Sequence, residues 1–131
     1  MKPNRSVPAV SVIPELPYSD VREAAEWLCR AFGFKERLQI GDHRAQLVYE
    51  NGAVIVIEGE AGPSRLLVRV EDADAHRARA EAAGATIISE PTDWPYGERQ
   101  YTAEDPGSHR WTFSESIADV DPADWGGTMK E

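Results

Sequence analysis

The sequence predicts an α+β protein of two βαβββ modules whose curved mixed sheet surrounds a cup-shaped cavity. The same order of patterns occurs twice: a strand, a helix opened by aspartate, a glycine, and three strands. From aspartate to glycine the chain advances 13 residues between Asp20 and Gly33, and 12 between Asp72 and Gly84. Because one helix cannot cover both faces of four strands, two modules side by side leave a concave surface open.

The length of 131 residues predicts a single domain, residues 1–131, because a chain of this size builds one shared core. Within it the first module spans about residues 9–60 and the second about 64–115. The Gly62-Pro63 pair indicates a linker between the halves. Residues 116–131 form an acidic C-terminal tail that Trp125 is expected to anchor.

The first module begins with a strand at residues 10–16, where Pro14 favours an edge position or a bulge. Asp20 and Glu23 have the spacing of a capping box, and apolar residues at helical spacing follow as far as Gly33. Strands are predicted near residues 38–40, at 44–50 and at 53–57. Asn51-Gly52 is typical of a two-residue hairpin turn.

The second module has a strand at residues 65–70, a helix at 72–83 and a strand at 86–89. Residues 90–96 are predicted as a loop and 97–103 as a strand. Asp105-Pro-Gly then indicates a tight turn before the last strand. Alternation along that strand places Trp111 and Phe113 on the side opposite Thr112, so we expect the two aromatic rings to pack against a helix.

The formal net charge of −9 argues against nucleic acid and anionic membranes as partners, and it permits cationic small molecules. The sequence has no apolar run of membrane-spanning length and no basic-then-apolar leader, which predicts a cytoplasmic protein. Cys29 is the only cysteine and lies in a helical apolar pattern, so we interpret it as a buried structural thiol.

Three segments resemble the vicinal oxygen chelate superfamily, which includes glyoxalase I, bleomycin-resistance proteins and extradiol dioxygenases. They are Tyr18-Ser-Asp20 with the helix up to Phe34, Val70-Glu-Asp72 with the helix up to Ala85, and Gly97 to Trp111. The last two are similar to the PhnB-like branch of that superfamily. The resemblance covers about residues 10–115 and implies the glyoxalase/bleomycin-resistance fold. It leaves the activity open, because the fold hosts lyases, isomerases, dioxygenases and binding proteins.

Enzymes of this superfamily hold a metal ion with four side chains, usually histidine and glutamate. The resemblance places these four positions at Glu15 (or Ile13), Gln46, Arg65 and Thr112. Glutamine is a poor ligand for zinc, arginine is a fixed cation, and threonine is neutral. We therefore expect no metal site and no cofactor, with a divalent metal as the alternative if the register is misplaced.

The cavity is predicted to be an aromatic and arginine-lined pocket. The expected inward-facing residues are Glu15, Arg44, Gln46, Arg65, Leu67 and Thr112. Arg99 and Tyr101 share a face with each other and are expected to join them, with Trp94 and Tyr96 on a loop at the rim. Aromatic rings stack on planar ligands and guanidinium groups bind carboxylates. In the alternative, the arginines pair internally with Glu15 or other acids and the cavity is small.

These features favour a metal-independent protein of the bleomycin-resistance type, which sequesters or carries a planar, possibly cationic small molecule. One alternative is a metal-dependent lyase or dioxygenase of the same superfamily. Another is a dimerisation module without a ligand. The resemblance also implies a homodimer, since the cup is often completed by a second chain.

Overall fold

In the computed structural model, which describes residues 2–130, the chain divides into two units, each combining one four-stranded sheet with one helix. The first unit contains the chain as far as Ser64 together with the turn Asp105–His109. The second contains Arg65–Glu104 and the chain from Arg110 onward. The predicted α+β class with two βαβββ modules is confirmed.

The first unit follows the predicted order of elements. These are β1 (Glu15–Tyr18), α1 (Val21–Phe32), β2 (Lys35–Ile40), β3 (Arg44–Tyr49) and β4 (Gly52–Glu58). The strand order is β1-β4-β3-β2, with β1 parallel to β4 and the other neighbours antiparallel. The first strand is shorter than predicted and begins at Glu15, immediately after Pro14, whose ring restricts the backbone and removes one hydrogen-bond donor.

Helix α1 has the ends that its sequence predicts. The Asp20 side chain accepts a hydrogen bond from the Glu23 amide at 3.0 Å, and Gly33 ends the helix with a φ of 85°. Glycine adopts this left-handed conformation without a steric penalty. The apolar side of α1 packs on β3 and β4, which buries Leu28 and Phe32 completely.

The second unit repeats the arrangement of the first. Its elements are β5 (Arg65–Arg69), α2 (Ala73–Ala82), β6 (Thr86–Trp94), β7 (Glu98–Glu104), β8 (Arg110–Ser116) and a 3₁₀ helix, Pro122–Trp125. The strand order is β5-β8-β7-β6, with β5 parallel to β8. The loop predicted at residues 90–96 is wrong in its first part, because β6 continues to Trp94. As an edge strand with two register shifts, β6 accommodates Pro91.

Each sheet has one face covered by its own helix, and we call the opposite side its distal face. On the helix side of the second sheet, Tyr101, Trp111 and Phe113 are completely buried, as predicted for the last two. The Tyr101 hydroxyl is hydrogen-bonded to Nδ1 of His76 on α2. No helix within residues 2–130 is long and apolar enough to span a membrane.

The turn Asp105–His109 is fixed by a buried carboxylate. Asp105 is 4% exposed and accepts hydrogen bonds from the Tyr18 hydroxyl at 2.6 Å and from the amides of Gly107 and His109 at 2.9 and 3.1 Å. Nε2 of His109 lies 2.9 Å from the Pro17 carbonyl and donates to it. A Cβ on Gly107 would lie 2.6 Å from two carbons of the Tyr18 ring, so only glycine fits there.

Candidate functional site

The distal face of the second sheet brings together five of the ten residues predicted to bind a ligand. The pairing of strands places Leu67 opposite Thr112, and Thr112 opposite Thr102. Register partners in a sheet project from the same face, so these three side chains form one row. The predicted residues on this face or at its end are Arg65, Leu67, Trp94, Tyr96 and Thr112.

A cavity of about 210 Å³ lies at one end of this face. Its lining residues are Arg65, Leu66, Leu67, Thr102, Arg110 and Thr112. The hydroxyls of Thr102 and Thr112 are hydrogen-bonded to each other at 2.9 Å, and the Leu67 side chain is 58% exposed. The cavity therefore combines guanidinium donors, a hydroxyl pair and an accessible apolar side chain.

Hydrogen-bonded polar side chains occupy the middle of the distal face. Gln100 Nε2 donates to Ser114 Oγ at 3.0 Å, and Ser114 Oγ donates to Glu98 Oε1 at 2.7 Å. Burial raises the pKa of Glu98, but hydrogen bonds from Ser116 and Ser114 and the charge of Arg69 outweigh it and hold the pKa below its usual range. Glu98 is thus a fixed hydrogen-bond acceptor near neutral pH, not a candidate proton donor.

An aromatic group lies at the other end of this face. The Trp94 and Tyr96 rings are stacked with centroids 6.3 Å apart and an interplanar angle of 5°. The Trp125 ring packs on the Tyr96 ring, with the centroids 5.1 Å apart, and Trp125 thereby anchors the C-terminal tail as predicted. The Tyr96 hydroxyl donates a hydrogen bond to Gln100 Oε1 at 3.1 Å. This bond links the aromatic rings to the polar side chains in the middle of the face. Trp94 is 46% exposed and remains accessible to a ligand.

The prediction that Arg99 and Tyr101 line the cavity with the other residues is wrong. Both project toward α2, because Tyr101 is the register partner of the buried Phe113 and Arg99 lies two residues before it on the same side of β7. Arg99 pairs with Asp93 at 2.7 Å and with Asp74 at 3.2 Å. These pairs explain why the pKa of Arg99 is raised, chiefly through its hydrogen bond to Asp93.

The three predicted residues of the first unit lie on the distal face of its sheet, where they already have partners. Arg44 forms a 2.8 Å ion pair with Glu15, as the alternative of internal pairing predicts. Gln46 is 4% exposed, accepts a hydrogen bond from Arg37 at 2.6 Å and donates one to the Ser6 carbonyl at 2.8 Å. The N-terminal segment therefore covers Gln46.

A second cavity, of about 130 Å³, lies in the first unit beside the Asp105–His109 turn. Trp27 of α1 is 7% exposed and borders this cavity. Tyr18 and Gly107 line the same cavity. This space is smaller than that on the distal face of the second sheet.

The four positions that the family resemblance assigns to a metal ion do not fit one. In the first unit, the Glu15 carboxylate is paired with Arg44, and both polar ends of the Gln46 amide have partners. In the second unit, these positions hold the guanidinium of Arg65 and the hydroxyl of Thr112. Within residues 2–130, no group of three or more His, Cys, Asp or Glu residues is arranged to hold a metal ion. Arginine would also repel a divalent cation.

Sequence patterns did not identify Arg110, Thr102 and Arg37 as site residues. Alternation already placed Arg110 on the same side of its strand as Thr112, so one signal for it was present in the sequence. Thr102 becomes a site residue only through the pairing of β7 with β8. Arg37 lies at an irregularity between β2 and β3, where the register shifts between Glu36 and Leu38, and no local pattern predicts its contact with Gln46.

Cys29 is not a candidate nucleophile, because its pKa is raised by burial and by the charge of Glu36. We expect iodoacetamide to modify Cys29 at about pH 8 several-fold more slowly than it modifies free cysteine. Unfolding in urea should restore the ordinary rate, which makes the denatured protein its own control. Equal rates in the folded and unfolded protein would contradict this assignment.

Comparison with known proteins identifies relatives of this architecture. A family model for the Glyoxalase/Bleomycin resistance protein/Dioxygenase superfamily matches residues 11–113. Among solved structures, TioX from Micromonospora sp. ML1 is 33% identical, with a TM-score of 0.75 over 83% of this chain and 100% of that one.

Two further relatives are more distant. TnmS3 from Streptomyces sp. CB03234, described as an antibiotic binding protein, is 23% identical with a TM-score of 0.68, over 82% of this chain and 98% of that one. An uncharacterized protein of Mycobacterium bovis is 24% identical in a gapped alignment of 133 positions, which covers 86% of each chain. The likeness to TnmS3 establishes a shared fold.

Proposed function

Because the chain belongs to the glyoxalase/bleomycin resistance protein/dioxygenase superfamily, we propose that it binds a planar small molecule without using a metal ion. The observation that carries this proposal is the distal face of the second sheet. That face has stacked rings at one end, hydrogen-bonding side chains in its middle, and a guanidinium-lined cavity at the other. Such an arrangement can hold a ligand at several points at once.

The aromatic end supports a planar ligand. Trp94 and Tyr96 are nearly parallel, and a flat ring placed against Trp94 would continue their stack. The tail packs Trp125 on Tyr96, which already restricts the Tyr96 side chain. Less side-chain conformational entropy is therefore lost when a ligand binds. That TnmS3, a protein of the same fold, is described as an antibiotic binding protein supports a small-molecule ligand.

The side chains at the four expected metal positions support binding without metal chemistry. The Gln46 amide and the Glu15 carboxylate already bind arginine side chains of the first unit. Arg65 carries a permanent positive charge that disfavours a cation nearby. We infer that the protein acts by holding its ligand, as a carrier or sequestering protein, and catalyses no reaction on it.

Tryptophan fluorescence tests this proposal. Protein purified without chelator, and a portion treated with EDTA, would be titrated with planar quinoline and naphthalene compounds. We expect quenching of equal amplitude and affinity in both portions. Stoichiometric zinc, nickel, manganese or iron in the untreated protein, or loss of quenching after EDTA, would contradict the proposal.

Two tryptophan variants locate the ligand. Trp94→Ala is expected to weaken binding about tenfold, because stacking on one ring contributes about 0.5–1.5 kcal/mol beyond the buried area. Trp27→Phe alters the smaller cavity of the first unit and should leave the affinity unchanged. If Trp27→Phe abolishes the quenching and Trp94→Ala does not, the ligand binds in the first unit and the proposed site is wrong.

We also propose that the protein works in the cytoplasm and that it forms a homodimer, of which the second part rests on the family resemblance. Size-exclusion chromatography with light scattering measures the mass directly against the 14.5 kDa of one chain. A mass of two chains is expected. If the protein is dimeric but none of the planar compounds binds, its role is that of a dimerisation module.

A further inference from the structure

We propose that the 210 Å³ cavity on the distal face of the second sheet binds a carboxylate of the ligand through Arg65 and Arg110. This inference rests on the proposed small-molecule-binding function and names the chemical group that the ligand must carry. It also gives a specific role to Arg110, which was not among the residues predicted from the sequence.

Arg65 and Arg110 are direct register partners on the parallel strands β5 and β8. Neighbouring strands lie about 4.8 Å apart, so the two side chains leave the same face side by side. Like charges in this arrangement repel each other and destabilise the sheet. An anion between the two guanidinium groups removes that repulsion, so binding and relief of strain act in the same direction.

Arg65 and Arg110 differ in whether a carboxylate side chain lies close enough to balance their charge. Arg110 lies 3.6 Å from Glu104, which is longer than a hydrogen bond. Within residues 2–130, the side chain of Arg65 makes no ion pair and no hydrogen bond. By contrast, Arg22 binds Glu36 at 2.7 Å and Arg77 binds Glu90 at 2.7 Å. The guanidinium group of Arg65 is therefore available to a ligand.

The row formed by Arg65, Arg110 and Glu104 carries two positive charges and one negative charge, which leaves one positive charge. A monoanion balances this charge, whereas a dianionic phosphate would leave one negative charge in excess. The flat fork of a guanidinium group also matches the two oxygens of a carboxylate. For these reasons we assign the group as a carboxylate and not as a phosphate.

The rest of the cavity fits the same group. The hydroxyls of Thr102 and Thr112 use one hydrogen in their mutual bond, which leaves the other to donate to a ligand oxygen. The exposed side chain of Leu67 provides an apolar contact for the carbon atoms next to the carboxylate. A cavity of 210 Å³ is smaller than the roughly 300–1,000 Å³ of sites that enclose whole drug-sized ligands, so it accommodates one end of the ligand.

The negative charge of the whole chain does not oppose this assignment. The net charge of −9 by itself permits a cationic ligand. Exposed charges farther away than a Debye length, about 8 Å at physiological salt, are largely screened. The guanidinium groups within the cavity thus decide the sign of the group that binds there, and the ligand is an aromatic acid.

Three matched probes test the assignment: 1-naphthoate, its neutral carboxamide, and 1-naphthyl phosphate. Binding is measured by calorimetry, and the Nε–Hε resonances of the arginines are followed by NMR. We expect naphthoate to bind at least tenfold more tightly than the carboxamide and more tightly than the phosphate, and to shift the resonances of Arg65 and Arg110. Tighter binding of the phosphate would overturn the choice of carboxylate.

Arg65→Gln should reduce naphthoate binding at least tenfold and leave carboxamide binding unchanged. Arg77→Gln is the matched control, because it removes an arginine of the same unit that lies outside the site, and it should change neither. Arg65→Gln also removes the repulsion between Arg65 and Arg110, so the melting temperature of this variant should equal or exceed that of the native protein. A measured melting temperature therefore distinguishes a loss of binding from misfolding.

The two proposals fail in different ways. If naphthoate and the carboxamide bind equally, and Arg65→Gln changes neither, small-molecule binding stands and the carboxylate site is overturned. If neither naphthoate nor the phosphate moves the Arg65 and Arg110 resonances, the carboxylate site is overturned whatever other planar compounds do. If no planar compound of any charge binds, the proposed function fails as well.

Discussion

Replacement of Asp105 by alanine is expected to destabilise the protein by about 3 kcal/mol or more. The buried carboxylate of Asp105 accepts hydrogen bonds from the Tyr18 hydroxyl and from two amides of its own turn. Alanine would leave all three donors without this partner, and an unsatisfied buried donor costs about 1–3 kcal/mol. Urea unfolding followed by circular dichroism measures the change in the free energy of unfolding.

Tyr18→Phe separates the tyrosine hydroxyl from the rest of this turn. It removes one donor and keeps the ring that packs against His109, so the expected cost is about 1–2 kcal/mol. If Asp105→Ala costs no more than Tyr18→Phe, the amides of Gly107 and His109 do not depend on the carboxylate, and our description of the turn is wrong.

We also expect the folded protein to lose stability at alkaline pH because of Tyr18. Burial, followed by the charge of Asp105 and the hydrogen bond to it, raises the pKa of Tyr18 far above its ordinary value of 10.0. Below pH 10 the residue is protonated in both states and its contribution is complete. Above pH 10 the unfolded chain loses this proton while the folded chain keeps it, so stability falls. Tyr18→Phe should show a smaller fall over the same range, and an identical pH profile would contradict this.

Trp111→Ala is expected to cost about 3–5 kcal/mol, because it empties the largest completely buried position of the second unit. The Trp111 and Phe113 rings are parallel with centroids 6.3 Å apart, and Phe113 in turn packs on Tyr101 at 5.2 Å. The indole thus supports the entire aromatic group beneath α2. Thermal and urea unfolding, monitored by circular dichroism, measure the loss.

Trp94→Ala is the matched control, because it removes the same side chain from the distal face of the same sheet. Trp94 is about half exposed, so we expect its removal to change the free energy of unfolding by no more than about 0.5 kcal/mol while weakening planar ligands. If both variants lose stability equally, the aromatic residues of the distal face belong to the core, and the proposed ligand site loses its stacking surface.

Local signals predicted the helices well. Asp20 and Asp72 cap α1 and α2 as expected, since each side chain accepts a bond from an amide three residues later. The hairpin signal was correct in kind but displaced by one residue: Tyr49 pairs with Gly52, so Glu50 and Asn51 form the turn, and Glu50 has a φ of 48°. Strand pairing moved the turn, because it places the apolar side chains of β3 against α1.

The candidate site was only partly predictable. Alternation correctly separated Trp111 and Phe113 from Thr112, because all three lie on one strand. It could not place Tyr101, because the face on which a strand's residues lie depends on its partner strand. For the same reason, the sequence did not predict that Arg65 and Arg110 are register partners, because they are 45 positions apart in the chain.

The sequence by itself determined the two repeated modules, their helices and caps, the family, and the chemical nature of the side chains at the four expected metal positions. Those properties depend on local periodicity and residue type, which act over a few neighbouring residues. Tertiary structure decided which side chains share a face and which already have partners. Strand register and long-range ion pairs set both, because they bring together residues that no local pattern connects.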